Sequence, residues 1–220
     1  PEPVMNALRS YTEVVDISER IQINAMANTS GNNMGITVYG VHPGQEKEVF
    51  TIHENMIQQS GSYLDQNSKI QIVIGEKLAE QLNIIRFQIT QETLDQLKEK
   101  EIADRIVQKL DTLKDQLFRS GSDFEESVAA LLGKKTKDKY IEIIREYSKV
   151  YRTRSKIVLT MQDMQGNLTG GAFRIAGIYS IPNSSFEASN AFVRFDDLAR
   201  IAGMNKGQAH EINVLLNERE

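Results

Sequence analysis

Two β-patterned stretches of this chain are held apart by a long segment with the period of helices, and any fold has to carry that interruption. The interruption starts at an unusual place. IGEKLAEQLNI (74–84) reads as the end of a strand running through Gly75 into a short amphipathic helix, a unit that normally turns at once into another strand. The next convincing strand, KIVLTMQ, begins only at Lys156. Upstream, RIQINAMA (20–27) alternates apolar and polar residues, GITVYGV (35–41) is β-branched and bounded by glycine, and NTSGNNMG between them spells a hairpin loop. PGQEKEVFTIHENM (43–56) reads as a short helix or loop crossing, and KIQIVIGEKLAEQLNI (69–84) as a buried strand followed by a helix. Downstream, KIVLTMQDMQGNLTGGAFRIAGIYSI predicts two strands around a Gly-Asn turn, then NAFVRF a strand, DDLARIAG a helix and HEINVLL a last strand.

The middle segment predicts three helices. Ile106, Leu110, Leu113 and Leu117 fall at intervals of four, three and four, which places them on one helical stripe. Ser122 and Glu125 match a capping box, with Gly121 ending the first helix and Gly133 placed to end the second. Tyr140, Ile144, Tyr147 and Tyr151 repeat the spacing on a third helix, widened by Ile143 and Val150. Helices with one apolar face pack on one another or on a flanking sheet; an arm presented to a partner is the alternative. The expected division is a discontinuous body, 1–85 and 154–220, with a helical insertion at 86–153.

Composition removes several classes of function. At 220 residues the chain has room for one large domain or two small lobes. A net charge of −4, with Lys and Arg spread along the sequence, argues against a nucleic-acid-binding face. No apolar run approaches the ~20 residues that cross a bilayer, and no signal segment leads the chain. Its start at Pro1 is expected to mark a piece of something larger. Without Cys there are no disulfides, thiolate metal sites or cysteine nucleophiles.

The motifs of catalysis are incomplete. His53 and Glu54 begin like a zinc-protease helix, but Ile57 stands where the second histidine is needed. His42 and His210 have no ligand neighbours at metal spacing. LLGKKTK (131–137) is like the tail of a phosphate-binding loop, yet Val128 occupies the upstream glycine position. SGSYL (60–64) lacks the second glycine of a nucleophile elbow. The pairs Asp196 with Asp197, and Glu125 with Glu126, sit at helix starts, where they suit the helix dipole. No catalytic, cofactor-binding or metal-ligating residue is assigned, and the chain is expected not to be an enzyme.

The order of motifs carries a resemblance. RIQINAMANTSGNNMGITVYGVHPGQEKEV, then GSYLDQNSKIQIVIGEKLAEQLNI, then KIVLTMQ through FRIAGIY to FVRFDDLARI, then HEINVLLNE, resembles the extracytoplasmic core domain of the MacB, LolC and LolE group of ABC transporter permeases within the FtsX-like family. It covers about 18–84 and 154–217. The resemblance implies a two-lobed α+β periplasmic core domain lying between two membrane helices of a multi-pass protein, at the periplasmic face of the inner membrane. It implies no cofactor and no chemistry. The partners it implies are the flanking membrane helices, a separate ATPase subunit, a second permease copy, and a lipoprotein or periplasmic protein, with no nucleic acid. The alternative is a free-standing soluble scaffold protein with a similar body. Two departures stand out: the helical insertion, where relatives turn within a few residues, and the short loop DMQGNLTGGA, where the LolC type has a longer proline-containing hook. The LolE-like or general FtsX-like form fits better.

Overall fold

The computed structural model describes residues 1–66, 70–153 and 155–217. Lys69 of the expected third strand, residue 154 at the expected return to the body, and Glu218 of the closing motif lie outside the described residues. In chain order the first elements are α1 (Glu2–Leu8), β1 (Val14–Asn28), β2 (Asn33–Val41), α2 (Pro43–Val49), β3 (Gln71–Gly75), α3 (Glu76–Gln81) and β4 (Ile85–Gln88). Next come α4 (Gln91–Glu99), α5 (Asp104–Leu110), β5 (Leu117–Phe118), α6 (Gly121–Leu132), α7 (Lys134–Ser148) and β6 (Lys149–Tyr151). The chain finishes with β7 (Lys156–Gln162), β8 (Leu168–Tyr179), α8 (Ser184–Ser189), β9 (Asn190–Arg194), α9 (Phe195–Ile201) and β10 (Glu211–Leu216). The class is α+β, and the chain divides into two compact units, Pro1–Leu82 with Thr153–Glu220, and Asn83–Arg152.

The larger unit is a mixed sheet of seven strands in the order β10-β1-β2-β9-β3-β8-β7, and β7 returns to pair with β1. That pairing closes six strands into a ring and leaves β10, paired only with β1, as the free edge of the sheet. The length of β1 makes this possible. Along one edge it gives Val14–Arg20 to β10 and Ala25–Asn28 to β7, while its other edge gives Arg20–Asn28 to β2. The alternation read from RIQINAMA has its cause here: Ile21, Ala25 and Ala27 are buried while Gln22, Asn24 and Met26 face water. Buried Ile36, Val38, Ile72, Ile74, Ile157, Leu159 and Phe173 come from the other strands. A second cluster holds Val41, Tyr63, Leu64, Val73, Tyr179 and Phe192, with Ile52, Met56 and Phe186 packed against it. The β3 to α3 turn needs Gly75, because a Cβ there would stand 2.3 Å from the Glu187 carbonyl oxygen of α8.

The inserted unit is more than helices. β4, β5 and β6 form an antiparallel sheet in the order β5-β4-β6, with Phe87 opposite Phe118 and Arg86 opposite Val150. Its core stacks Phe124 on Phe87, ring centres 5.1 Å apart, and sets it edge-on to Phe118 at 5.3 Å. Leu94, Leu97, Ile106, Leu110, Val128 and Ile144 are buried in the same unit.

Three local expectations are corrected. The first expected helix is two, α4 and α5, divided at Glu101, whose φ is +58°. The stripe from Ile106 stops at Leu110; Leu113 lies in a 3-10 turn and Leu117 is exposed in β5, because Asp115 turns the chain at φ +63° and donates its N–H to the Ile89 carbonyl. The cap of α6 is Ser120, whose hydroxyl accepts from Asp123 N–H at 3.2 Å, and Gly121 opens that helix instead of closing the one before. Glu125 is drawn away from any cap by two cations, Lys137 and Arg145. Gly133 does end α6, at φ +77°. α7 carries the third stripe as far as Ser148, and Val150 and Tyr151 continue it in β6 as strand residues.

Candidate interaction surfaces

The three histidines have separate structural tasks. His42 Nε2 lies 3.1 Å from Glu19 Oε1, and its ring stacks on Phe195 with centres 4.4 Å apart. His53 sets Nδ1 3.0 Å from the Phe50 carbonyl oxygen. His210 Nδ1 accepts the Gln22 N–H at 3.0 Å, beside the gap on β1 between β10 and β7. The fold brings none of them together, and no cluster of three metal-ligating side chains exists among the described residues.

The acidic pairs and serines are tied down in the same way. Asp197 is buried and accepts the Ile70 N–H at 2.9 Å, while Asp196 lies 3.5 Å from Arg194. Ser60 in SGSYL is buried against β8, its one hydroxyl proton within reach of the Ile57 and Ile178 carbonyls at 2.7 and 2.9 Å, and its oxygen accepts the Ile178 N–H. LLGKKTK spans the end of α6 and the start of α7, and its Lys137 pairs with Glu125 at 3.0 Å. Glu126 is exposed on α6.

One polar group in the body was not foreseen. Glu46 of α2 is buried, pairs with the Arg20 guanidinium, and accepts the Ser18 hydroxyl at 2.9 Å. The guanidinium lies 3.7 Å from the centre of the Phe50 ring. Nearby, burial first and the Glu46 charge second push the Tyr63 phenol up, so it stays neutral. Every oxygen of Glu46 is engaged, so the group fastens α2 to β1. An open groove of about 780 Å³ runs along the outer side of β1, with Gln22, Asn24, Met26, Thr160 and Leu168 among its lining. It is wide and solvated, a place for a surface rather than a small molecule.

No family model and no curated protein matches the chain. Among solved structures, the fold is similar to extracytoplasmic domains of ABC-type transporters. One is the extracellular domain of the transporter YknZ from Gram-positive bacteria, at 12% identity and a TM-score of 0.49 over 99% of this chain and 73% of that one. Another is the periplasmic region of MacB from Actinobacillus actinomycetemcomitans, at 8% identity and a TM-score of 0.44 over 97% of this chain and 63% of that one.

Proposed function

We propose that the chain is the extracytoplasmic domain of an FtsX-like ABC transporter permease of the MacB, LolC and LolE group, held at the periplasmic face of the inner membrane and without chemistry of its own. It engages a lipoprotein or another periplasmic protein and passes conformational change to the flanking membrane helices. A separate ATPase subunit supplies the energy, and a second permease copy completes the transporter. The observation that carries this reading is the pairing of the first and last strands of the body. Val14 of β1 pairs with Leu216 of β10, and Asn217 N–H donates to the Glu13 carbonyl at 2.9 Å. The first and last strands thus lie side by side, an arrangement that suits a domain inserted between two membrane helices, with α1 folded back before β1 through buried Met5. No helix among the described residues is long and apolar enough to cross a membrane.

The test uses the full-length gene product in a cysteine-free background. This chain has no cysteine, so Ser30→Cys at the exposed hairpin tip supplies a single thiol. The expected result is labelling by a membrane-impermeant maleimide in cells whose inner membrane is intact. Labelling only after that membrane is broken, or recovery of the whole gene product in the soluble fraction, overturns the reading.

A further inference from the structure

Three arginines share one face of the small sheet in the inserted unit. Phe87 points into the core, so its neighbour Arg86 stands on the opposite face of β4. The register that sets Phe87 opposite Phe118 brings Arg119, the next residue, level with Arg86. On the other side Arg86 is opposite Val150, and Arg152 follows just past the end of β6, near enough to Arg86 to act on its charge. Arg86 donates Nη1 to the Arg119 carbonyl, so its head group lies at the β5 edge. Leu117, 55% exposed, completes this face opposite Gln88.

Like charges on neighbouring strands oppose folding unless something neutralises them. Among the described residues, none of the three arginines has a carboxylate at ion-pair distance, whereas Lys137, Arg145 and Lys149 of the same unit all do. The crowding is felt: partial burial first, then Arg152 and Arg119, lower the pKa of Arg86. The chain nevertheless has 30 acidic side chains available, so the missing counter-charge is a property of this face. Guanidinium forks match carboxylates in pairs of hydrogen bonds, and an apolar side chain beside them suits a peptide that alternates acidic and apolar residues.

We propose that the face bearing Arg86, Arg119, Arg152 and Leu117 docks an acidic segment of a partner protein. Leu117 beside the guanidiniums favours a peptide, which interleaves apolar side chains with its carboxylates, over a lipid headgroup.

The experiment titrates the 220-residue chain into a fluorescent peptide alternating glutamate and leucine, and into a glutamine-leucine peptide of equal length. Vesicles with and without phosphatidylglycerol form a separate arm. Saturable binding of the glutamate peptide, at least tenfold weaker in the triple variant Arg86→Gln, Arg119→Gln, Arg152→Gln, is expected. The control variant Lys100→Gln, Arg105→Gln, Lys135→Gln removes equal charge from exposed sites elsewhere on the unit and should bind as the parent does. Circular dichroism establishes that both variants are folded. Equal binding by the two triple variants, equal binding of the two peptides, or binding to anionic vesicles alone overturns the proposal. Peptide binding does not depend on where the protein resides, so failure here and failure of the thiol-labelling test are separate results.

Discussion

Arg20 is held by Glu46 and lies across Phe50, with almost none of either charge left in water. Removing one partner of such a pair leaves the other buried and uncompensated. Glu46→Ala should therefore cost about 3–5 kcal/mol, read as a fall in the denaturant midpoint, and Arg20→Met combined with Glu46→Leu should recover most of it. The pair escaped the sequence because its members are 26 residues apart and neither belongs to a motif. Glu125 shows the converse: its place near a helix start was legible, its partners were not. Partial burial raises its pKa, but hydrogen bonds from Lys137 and Arg145 outweigh that and hold the carboxyl below its usual value. A depressed folded-state pKa gives stability that is present above the unfolded value of about 4.3 and is lost as pH falls through the folded one. Glu125→Gln should lower the melting temperature at pH 7, and the gap from the parent should close as the pH drops below about 4.

Gly75 shows how tightly neighbouring segments are packed. Gly75→Ala would drive a methyl into the backbone of α8 and should destabilise by about 1–3 kcal/mol. Gly35→Ala, on a strand with nothing within 4 Å of the new atom, should be neutral or slightly stabilising, by up to about 1 kcal/mol. Thermal melts of the two variants distinguish packing from backbone entropy. In the body RIQINAMA was legible by its alternation, GITVYGV by β-branched residues bounded by glycine, and QIVIG as a short apolar run ending at a glycine. The sheet of the insertion was not. β5 has 2 residues, too few to alternate, and β6 follows α7 with no breaker between Ser148 and Lys149. Only IIRFQI (84–89), with Ile85, Phe87 and Ile89 buried in alternation, carried a signal that a strand continues past α3.

Each compact unit has its own buried core, so each is expected to fold without the other. Replacing 83–152 by a turn of ~4 residues should leave a cooperative melt and remove mainly helical signal from the circular dichroism spectrum. The excised segment 83–152 should melt cooperatively as well, with Phe87, Phe118 and Phe124 as its centre. An unfolded or aggregated product in either experiment would mean that the cores depend on each other. The motifs of the body keep their order on both sides of the insertion, since a long loop adds closure entropy only logarithmically.

The length of β1 has a mechanical consequence. Pulling Thr12 and Asn217 apart loads the β1–β10 ladder from the Val14–Leu216 pair inward, so its bonds fail one after another like a zipper. Pulling along β1 acts instead on a covalent strand that is already extended and is flanked by β2, β7 and β10. The body is thus compliant across its base and nearly inextensible along its height. Optical-tweezer handles at Thr12 and Asn217 should open the molecule at lower force than handles at Glu13 and Ser30. A tie rod of this kind delivers a displacement at the base to the hairpin end almost undiminished.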